Sequence, residues 1–192
     1  MISVPSGSIA TIVTSLEMLA ARAASGPSKS ALRLEHWRAP VDRTRYLALF
    51  REIGAPWLWR GRLVLDDAML ASILDAPTTG IHIATRRDGT PVGMLELDFR
   101  IAGEVEIAYF GLVPGMTGNG HGAWLMAHAM RLAWRPGIGR IWVHTCDLDH
   151  PGALGFYQRE GFRPFARAVE IYADPRAEGL YPPTVAPHAP LL

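Results

Sequence analysis

The sequence predicts an α/β (α+β) fold on a mixed central β-sheet of about six to seven strands, flanked by helices. Three observations predict it. Asp88-Gly89 and Ala102-Gly103 separate three extended apolar runs, 81–86, 92–101 and 105–113. Asp-Gly between alternating runs is a strong hairpin signal, so these form an antiparallel meander. A helical run over 122–134 then leads through Pro136-Gly137-Ile138-Gly139 into a strand over 140–146. Strand, helix, strand requires a crossover and therefore a parallel pair. Finally, 192 residues with 49% hydrophobic and 19% charged side chains suffice for one well-filled core.

Along the chain, residues 1–29 are rich in Ser, Ala and Thr, and Ile9, Ile12, Val13, Leu16, Leu19 and Ala23 recur at helical spacing. This segment reads as an N-terminal arm or short extra helix. It lacks a basic start, and Glu17 interrupts its apolar part, which argues against a secretory signal. After the Ser25-Gly26-Pro27-Ser28 break, 31–37 alternates as a half-buried strand and opens a main domain over 30–173. Asp42 can cap a helix running to Ile53, and Pro56 ends it before the aromatic Trp57-Leu58-Trp59 segment. Asp66 can cap a second helix over 67–74. Beyond the meander and the crossover, Pro151 starts a helix that Gly161 ends, and a last strand covers 162–172. Residues 174–192 form a Pro-rich wrapping tail.

The formal net charge is +1, with no basic run longer than two, so a nucleic-acid surface is not expected. No apolar stretch reaches the roughly eighteen residues that a membrane span needs. The single cysteine, Cys146, cannot form an internal disulfide, and no Cys/His cluster has zinc spacing, so no metal is expected and a reducing cytoplasm fits best.

Val105 to Met126 runs strand, glycine loop, helix, an arrangement whose freed N–H groups and helix dipole suit a diphosphate. A triphosphate P-loop needs Lys then Ser or Thr after its last glycine, whereas His121 and Gly122 follow Gly120. A dinucleotide fingerprint needs G-x-G-x-x-G in an early βαβ unit, whereas Gly118-Asn119-Gly120-His121-Gly122 reads G-x-G-x-G after a meander. Val113-Pro114 followed by this loop resembles the acetyl-CoA loop of the GCN5-related N-acetyltransferases. The helix carrying Phe156-Tyr157 and then Gly161-Phe162 resembles the second signature of that family. The two signatures and the element order cover about residues 30–173, and the pair together is specific where either alone is only suggestive.

The resemblance implies acetyl-CoA as co-substrate and direct attack by an amine acceptor, a small molecule or a peptide, in a ternary complex. Homodimers are common in such a family. It places the diphosphate on Thr117, Gly118, Asn119, Gly120, His121, Gly122 and Ala123, and the pantetheine arm on the backbone of Leu112 and Val113. His150 stands where Asn is frequent and can donate one hydrogen bond. Thr117 and Asn119 stand where basic or amide side chains are frequent, so this loop must hold an anion largely with N–H groups and dipole.

Transfer to an alkyl amine of pKa about 10.4 carries a deprotonation handicap of about 4 kcal/mol at pH 7. Glu106, on the strand entering the loop, lies eleven residues before Thr117, an offset that resembles that of the catalytic glutamate in the histone-acetylating branch of the family. The resemblance makes it the candidate base, acting through a water, with a solvated strand-face glutamate as the alternative. The resemblance also implies that Tyr157, matched residue by residue, points its hydroxyl at the coenzyme sulfur as the candidate acid for the leaving thiolate and is a cofactor contact. The resemblance implies that the N–H near Leu112, where members of the family splay this strand from its neighbour, is the candidate oxyanion donor. Cys146, two residues from His144, could be a nucleophile, but a lone strand cysteine is more often a packing residue. Trp57, Trp59, Arg60 and Arg62, or else Glu96, Asp98 and Glu104, are candidates to meet the acceptor. An acyl-CoA-binding sensor or partner module without catalysis, and an O-acetyltransferase, remain alternatives.

Overall fold

The computed structural model describes residues 3–21 and 30–191. In chain order the elements are β1 (Ser8–Met18), β2 (Arg33–Trp37), α1 (Arg43–Gly54), a 3₁₀ turn (Ala55–Trp57), α2 (Asp67–Leu74), β3 (Thr79–Thr85), β4 (Pro91–Asp98), β5 (Glu104–Leu112), α3 (His121–Ala133), β6 (Arg140–Cys146), α4 (Ala153–Glu160) and β7 (Arg163–Ala173). The strands form one mixed sheet in the order β2-β3-β4-β5-β6-β1-β7. Strands β2 to β5 are an antiparallel meander, and β5 and β6 are the parallel pair that the α3 crossover demands.

Local chemistry sets the element ends. The Asp42 carboxylate accepts from the Arg45 N–H at 3.0 Å and Asp66 accepts from the Met69 N–H at 2.7 Å, so both expected caps start their helices. Gly161, at φ 105°, ends α4 in the left-handed region.

The N-terminal segment differs from expectation. Residues 8–18 are neither an arm nor a helix: they form β1, antiparallel to both β6 and β7 and lying between them. Ile9, Thr11 and Val13 are buried on one face, whereas Thr14, Leu16 and Met18 are buried on the other. Ile9 and Val13 are four apart, which fits a strand face as well as a helix. The change of buried face then places Leu16 three residues on, and the sum imitates a 3.6-residue period. Ala23 and the Ser25-Gly26-Pro27-Ser28 break lie outside the described residues.

The main core joins the buried faces of the sheet to α1, α2 and α3 through Leu16, Phe50, Leu70, Leu95, Leu125 and Ile141. Each such side chain contributes about 1.5–3 kcal/mol by leaving water. Within this core the Tyr46 O–H donates to Glu96 at 2.5 Å and the Arg62 guanidinium reaches the other Glu96 oxygen at 2.5 Å. Glu96 is 1% exposed, and a carboxylate so buried needs such partners.

Residues 174–191 fold back on the molecule. Tyr181, Ala186 and Ala189 form a smaller apolar cluster with Ile9, Leu58 and Leu148. Arg176, ion-paired with Asp174 at 2.7 Å, donates to the carbonyls of Val185, Ala186 and Ala189. The Tyr181 O–H donates to the Trp59 carbonyl at 2.7 Å, and Glu178 pairs with Arg60 at 3.0 Å.

Candidate active site

Strand β5 begins in register with β6 at Glu104↔Arg140, Val105↔Ile141 and Glu106↔Trp142, and there the pairing stops although both strands continue. The cause is visible on the other side of β5. Glu96 of β4 pairs with Tyr109 but Leu97 pairs with Ile107, so Ala108 is an extra residue and β5 bulges. A bulge bends and over-twists its strand, which carries 107–112 away from β6. The resulting wedge is a cleft of about 1090 Å³.

The β5 wall offers unused backbone. The Val113 N–H donates to the Val92 carbonyl at 2.9 Å. Antiparallel alternation then turns the N–H and C=O of Leu112, and of Phe110 before it, away from β4 and toward the gap. The backbone of Leu112, expected to pair with pantetheine and to donate to an oxyanion, thus faces the gap. Val113 does not: its N–H is spent on β4, and it does not line the cleft. Gly111 lets α1 and the Trp59 ring close on this strand, since a Cβ there would lie 2.5 Å from Ile53 Cγ2.

At one end of the cleft lies the glycine loop. Gly115, Gly118 and Gly120 all have φ between 77° and 83°, a region costly for other residues. Helix α3 has no side-chain cap, and its first intrahelical bond runs from the Trp124 N–H to the Gly120 carbonyl. The N–H groups of His121, Gly122 and Ala123 therefore make no intrahelical bond, at the positive end of the dipole. Thr117, Gly118 and Gly122 line the cleft, whereas Asn119, Gly120, His121 and Ala123 do not. The His121 ring is turned to Ser30, with Nδ1 2.9 Å from Oγ. The backbone end of this site fits a diphosphate; the expected side chains, apart from Thr117, do not reach it.

The opposite wall is β6, the turn after it and α4. Tyr157 is 6% exposed, packed edge-on against Phe110, Phe156 and Phe162, and lines the cleft. Its hydroxyl makes no hydrogen bond to a described residue. Burial first, then the neighbouring Asp149, push its phenol well above the ordinary value, so it carries its proton at any working pH. Asp149 itself accepts from the Trp59 indole N–H, the Thr145 hydroxyl and the Cys146 N–H. His150 Nδ1 accepts from the Gly152 N–H at 3.0 Å, which leaves the proton on Nε2 as the donor expected of this residue. Arg159, one turn after Gly155 on α4, also lines the cleft and brings it a fixed positive charge that the loop lacks.

Glu106 departs from expectation. It does not line the cleft, and its carboxylate oxygen lies 3.3 Å from His144 Nδ1. His144 does line the cleft, and Glu106 raises its pKa above the ordinary value. Cys146 faces the cleft as well, but burial and Asp149 push its thiol up, which disfavours a thiolate nucleophile.

Of the acceptor candidates, Trp57, Trp59 and Arg60 line the far end of the cleft, with Thr11, Glu170 and Tyr172 from β1 and β7. Arg62 does not line it; it is committed to Glu96. Asp98 is paired with Arg100 and Glu104 with Arg140, so none of the three proposed carboxylates faces an acceptor. No helix is long and apolar enough to cross a membrane, and no group of three metal-ligating side chains occurs, among the described residues.

An open mixed sheet whose parallel pair splays beside a glycine loop at a helix N-terminus defines an α/β class with a cleft suited to an anionic ligand. The acetyltransferase (GNAT) family model matches residues 44–162, more than half of the chain, and the chain belongs to that family. Its fold is similar to a GCN5-related N-acetyltransferase from Sphaerobacter thermophilus (TM-score 0.59, 15% identity, 85% of this chain and 52% of that one). It is also similar to a GCN5-related N-acetyltransferase from Kribbella flavida (0.56, 20%, 87% and 60%). A third neighbour is a GNAT family acetyltransferase from Elizabethkingia anophelis with acetyl-CoA bound (0.54, 15%, 72% and 80%). The chain thus spans 52% and 60% of the length of the first two. At these identities the likeness is one of fold. No curated protein matches the sequence.

Proposed function

We propose that this protein is an acetyl-CoA-dependent N-acetyltransferase that moves the acetyl group to an amine by direct attack. The observation that carries this reading is the unpaired β5 edge at Phe110 and Leu112, facing an unpartnered Tyr157 hydroxyl across one cleft. The pantetheine arm would pair with that edge as an added strand, its diphosphate lying on the α3 N-terminus and its thioester between the Leu112 N–H and Tyr157. As the amine attacks, the Leu112 N–H meets the oxyanion, and Tyr157 protonates the departing thiolate. The amine enters from the end lined by Trp57, Trp59, Glu170 and Tyr172, and a peptide or small molecule would fit a cleft of this size.

The test is thiol release from acetyl-CoA with a panel of amines, with acetyl-CoA binding measured alongside. Amide product with a subset of amines supports the reading. Clear binding without release from any amine favours a sensor module, and an ester product favours transfer to a hydroxyl.

A further inference from the structure

We propose that His144 is the general base of this site and that Glu106 is the positioning residue behind it, an assignment that rests on the acetyltransfer reading above. The two residues come from adjacent parallel strands. Glu106 is opposite Trp142, and His144 is two residues further along β6, which returns it to the same face of the sheet. That is where β5 and β6 part, so the imidazole stands at the apex of the wedge. Its side chain is 49% exposed and on the cleft wall, whereas the Glu106 side chain is 19% exposed and behind it.

The contact fixes the chemistry of each ring nitrogen. With a carboxylate 3.3 Å from Nδ1, the proton stays on Nδ1, and Nε2 keeps its lone pair with no described hydrogen-bond partner. A carboxylate that orients an imidazole and stabilises the imidazolium makes that imidazole a better proton acceptor. Three charged groups face it from separate elements: Glu106 on β5, Asp149 in the turn after β6 and Glu170 on β7. All three favour the protonated ring. Trp142 and Cys146 flank it on its own strand, and Ser15 of β1 is its cross-strand partner.

The proton balance is as follows. The acceptor arrives as an ammonium and passes one proton to Nε2. The neutral nitrogen then forms the C–N bond at the thioester carbon, and the carbonyl pair moves to oxygen. Collapse breaks the C–S bond, and the thiolate takes the Tyr157 proton. The second proton of the now cationic nitrogen returns through solvent to the phenolate, and the imidazolium releases its own to solvent. One proton leaves per turnover.

The proposal is tested on the full chain with two variants, His144→Gln and Glu106→Gln, after acetyl-CoA affinity shows that both retain the cofactor site. Histidine NMR titration without substrate reads the pair directly. His144 should titrate above about 6.5 in the parent protein and fall toward that value in Glu106→Gln. In kcat/KM against pH, the parent should lose activity as the pH falls through the His144 pKa. His144→Gln should abolish that limb and lower the rate roughly 10²-fold or more at neutral pH. Glu106→Gln should keep the limb, displaced to lower pH, with a smaller loss. A limb that survives in His144→Gln but vanishes in Glu106→Gln would overturn the assignment and make Glu106 itself the base. An unmoved His144 titration in Glu106→Gln would remove the positioning role. No turnover with any amine would end the acetyltransfer reading, and the base role with it, whatever the titration shows.

Discussion

The indole N–H of Trp59 donates to Asp149 at 3.2 Å, tying the segment after α1 to the turn after β6 across the mouth of the cleft. The other oxygen of the same carboxylate accepts from the Thr145 hydroxyl at 2.7 Å and the Cys146 N–H at 3.0 Å. One carboxylate thus holds both walls at a fixed separation. Asp149→Ala should leave three donors without partners and lower stability by about 2 kcal/mol. Urea unfolding checks this, and Trp59 fluorescence should shift as its N–H is released.

Tyr157→Phe keeps the ring and its contacts with Phe110, Phe156 and Phe162 and removes only the hydroxyl. If that hydroxyl protonates the leaving thiolate, kcat should fall roughly 10²-fold, with little change in the affinity for acetyl-CoA. Steady-state kinetics beside calorimetric titration separates the two.

Arg62 sits over the Tyr109 ring at 4.9 Å and neutralises a glutamate that is 1% exposed. Arg62→Ala strands the Glu96 charge and should destabilise the fold by about 3–5 kcal/mol. Arg62→Ala combined with Glu96→Leu should recover much of the loss, as read from denaturation midpoints.

Asp174 is held below the ordinary carboxylate range by its hydrogen bond to Arg176. The folded state therefore binds fewer protons than the unfolded state near this pH. The contribution of the pair is fully present above about pH 4, the unfolded value, and is lost as the pH falls through the lower folded value. Resistance of the tail to an acid-tolerant protease should be level from neutral pH down to about 5 and collapse below about 4. Asp174→Asn should weaken that resistance at neutral pH and remove its fall in acid, since the amide has no charge to lose.

Gly118 has φ 83° with no atom within 4 Å of a Cβ placed there, so a methyl group meets no clash, only backbone strain. Gly118→Ala should cost about 1 kcal/mol where the loop must keep this shape and weaken acetyl-CoA about fivefold. Binding by calorimetry, with the melting temperature as control, tests it.

Much of this architecture was legible in the chain because its signals are local. Asp42 and Asp66 cap their helices through contacts three residues away, and Asp88-Gly89 turns a hairpin within its own span. The Gly118-to-Gly122 loop and the Phe156-Tyr157 helix are likewise contiguous. What escaped depends on register between distant segments. Glu106 and His144 meet only because β5 and β6 pair at Glu106↔Trp142, and nothing in either strand alone states that offset. The Ala108 bulge and the spent N–H of Val113 have the same origin. Arg159 had a local sign, three residues along α4 from Phe156, whose ring lies beside Gly122, and Glu96 had none: its burial goes with Arg62 and Tyr46, both remote in sequence.

β1 precedes the other strands of its sheet, yet its partners Cys146 and Ala173 lie more than a hundred residues downstream of it. Closing such a span is slow relative to the local pairing of the meander. During translation the glycine loop, α3 and the β5 edge can settle while β6 still has an open flank. The wall carrying Thr11, Glu170 and Tyr172 must assemble after the meander, because it requires β1 and β7 together. On the ribosome the half of the cleft built from the glycine loop, α3 and β5 therefore matures ahead of the half built from β1 and β7.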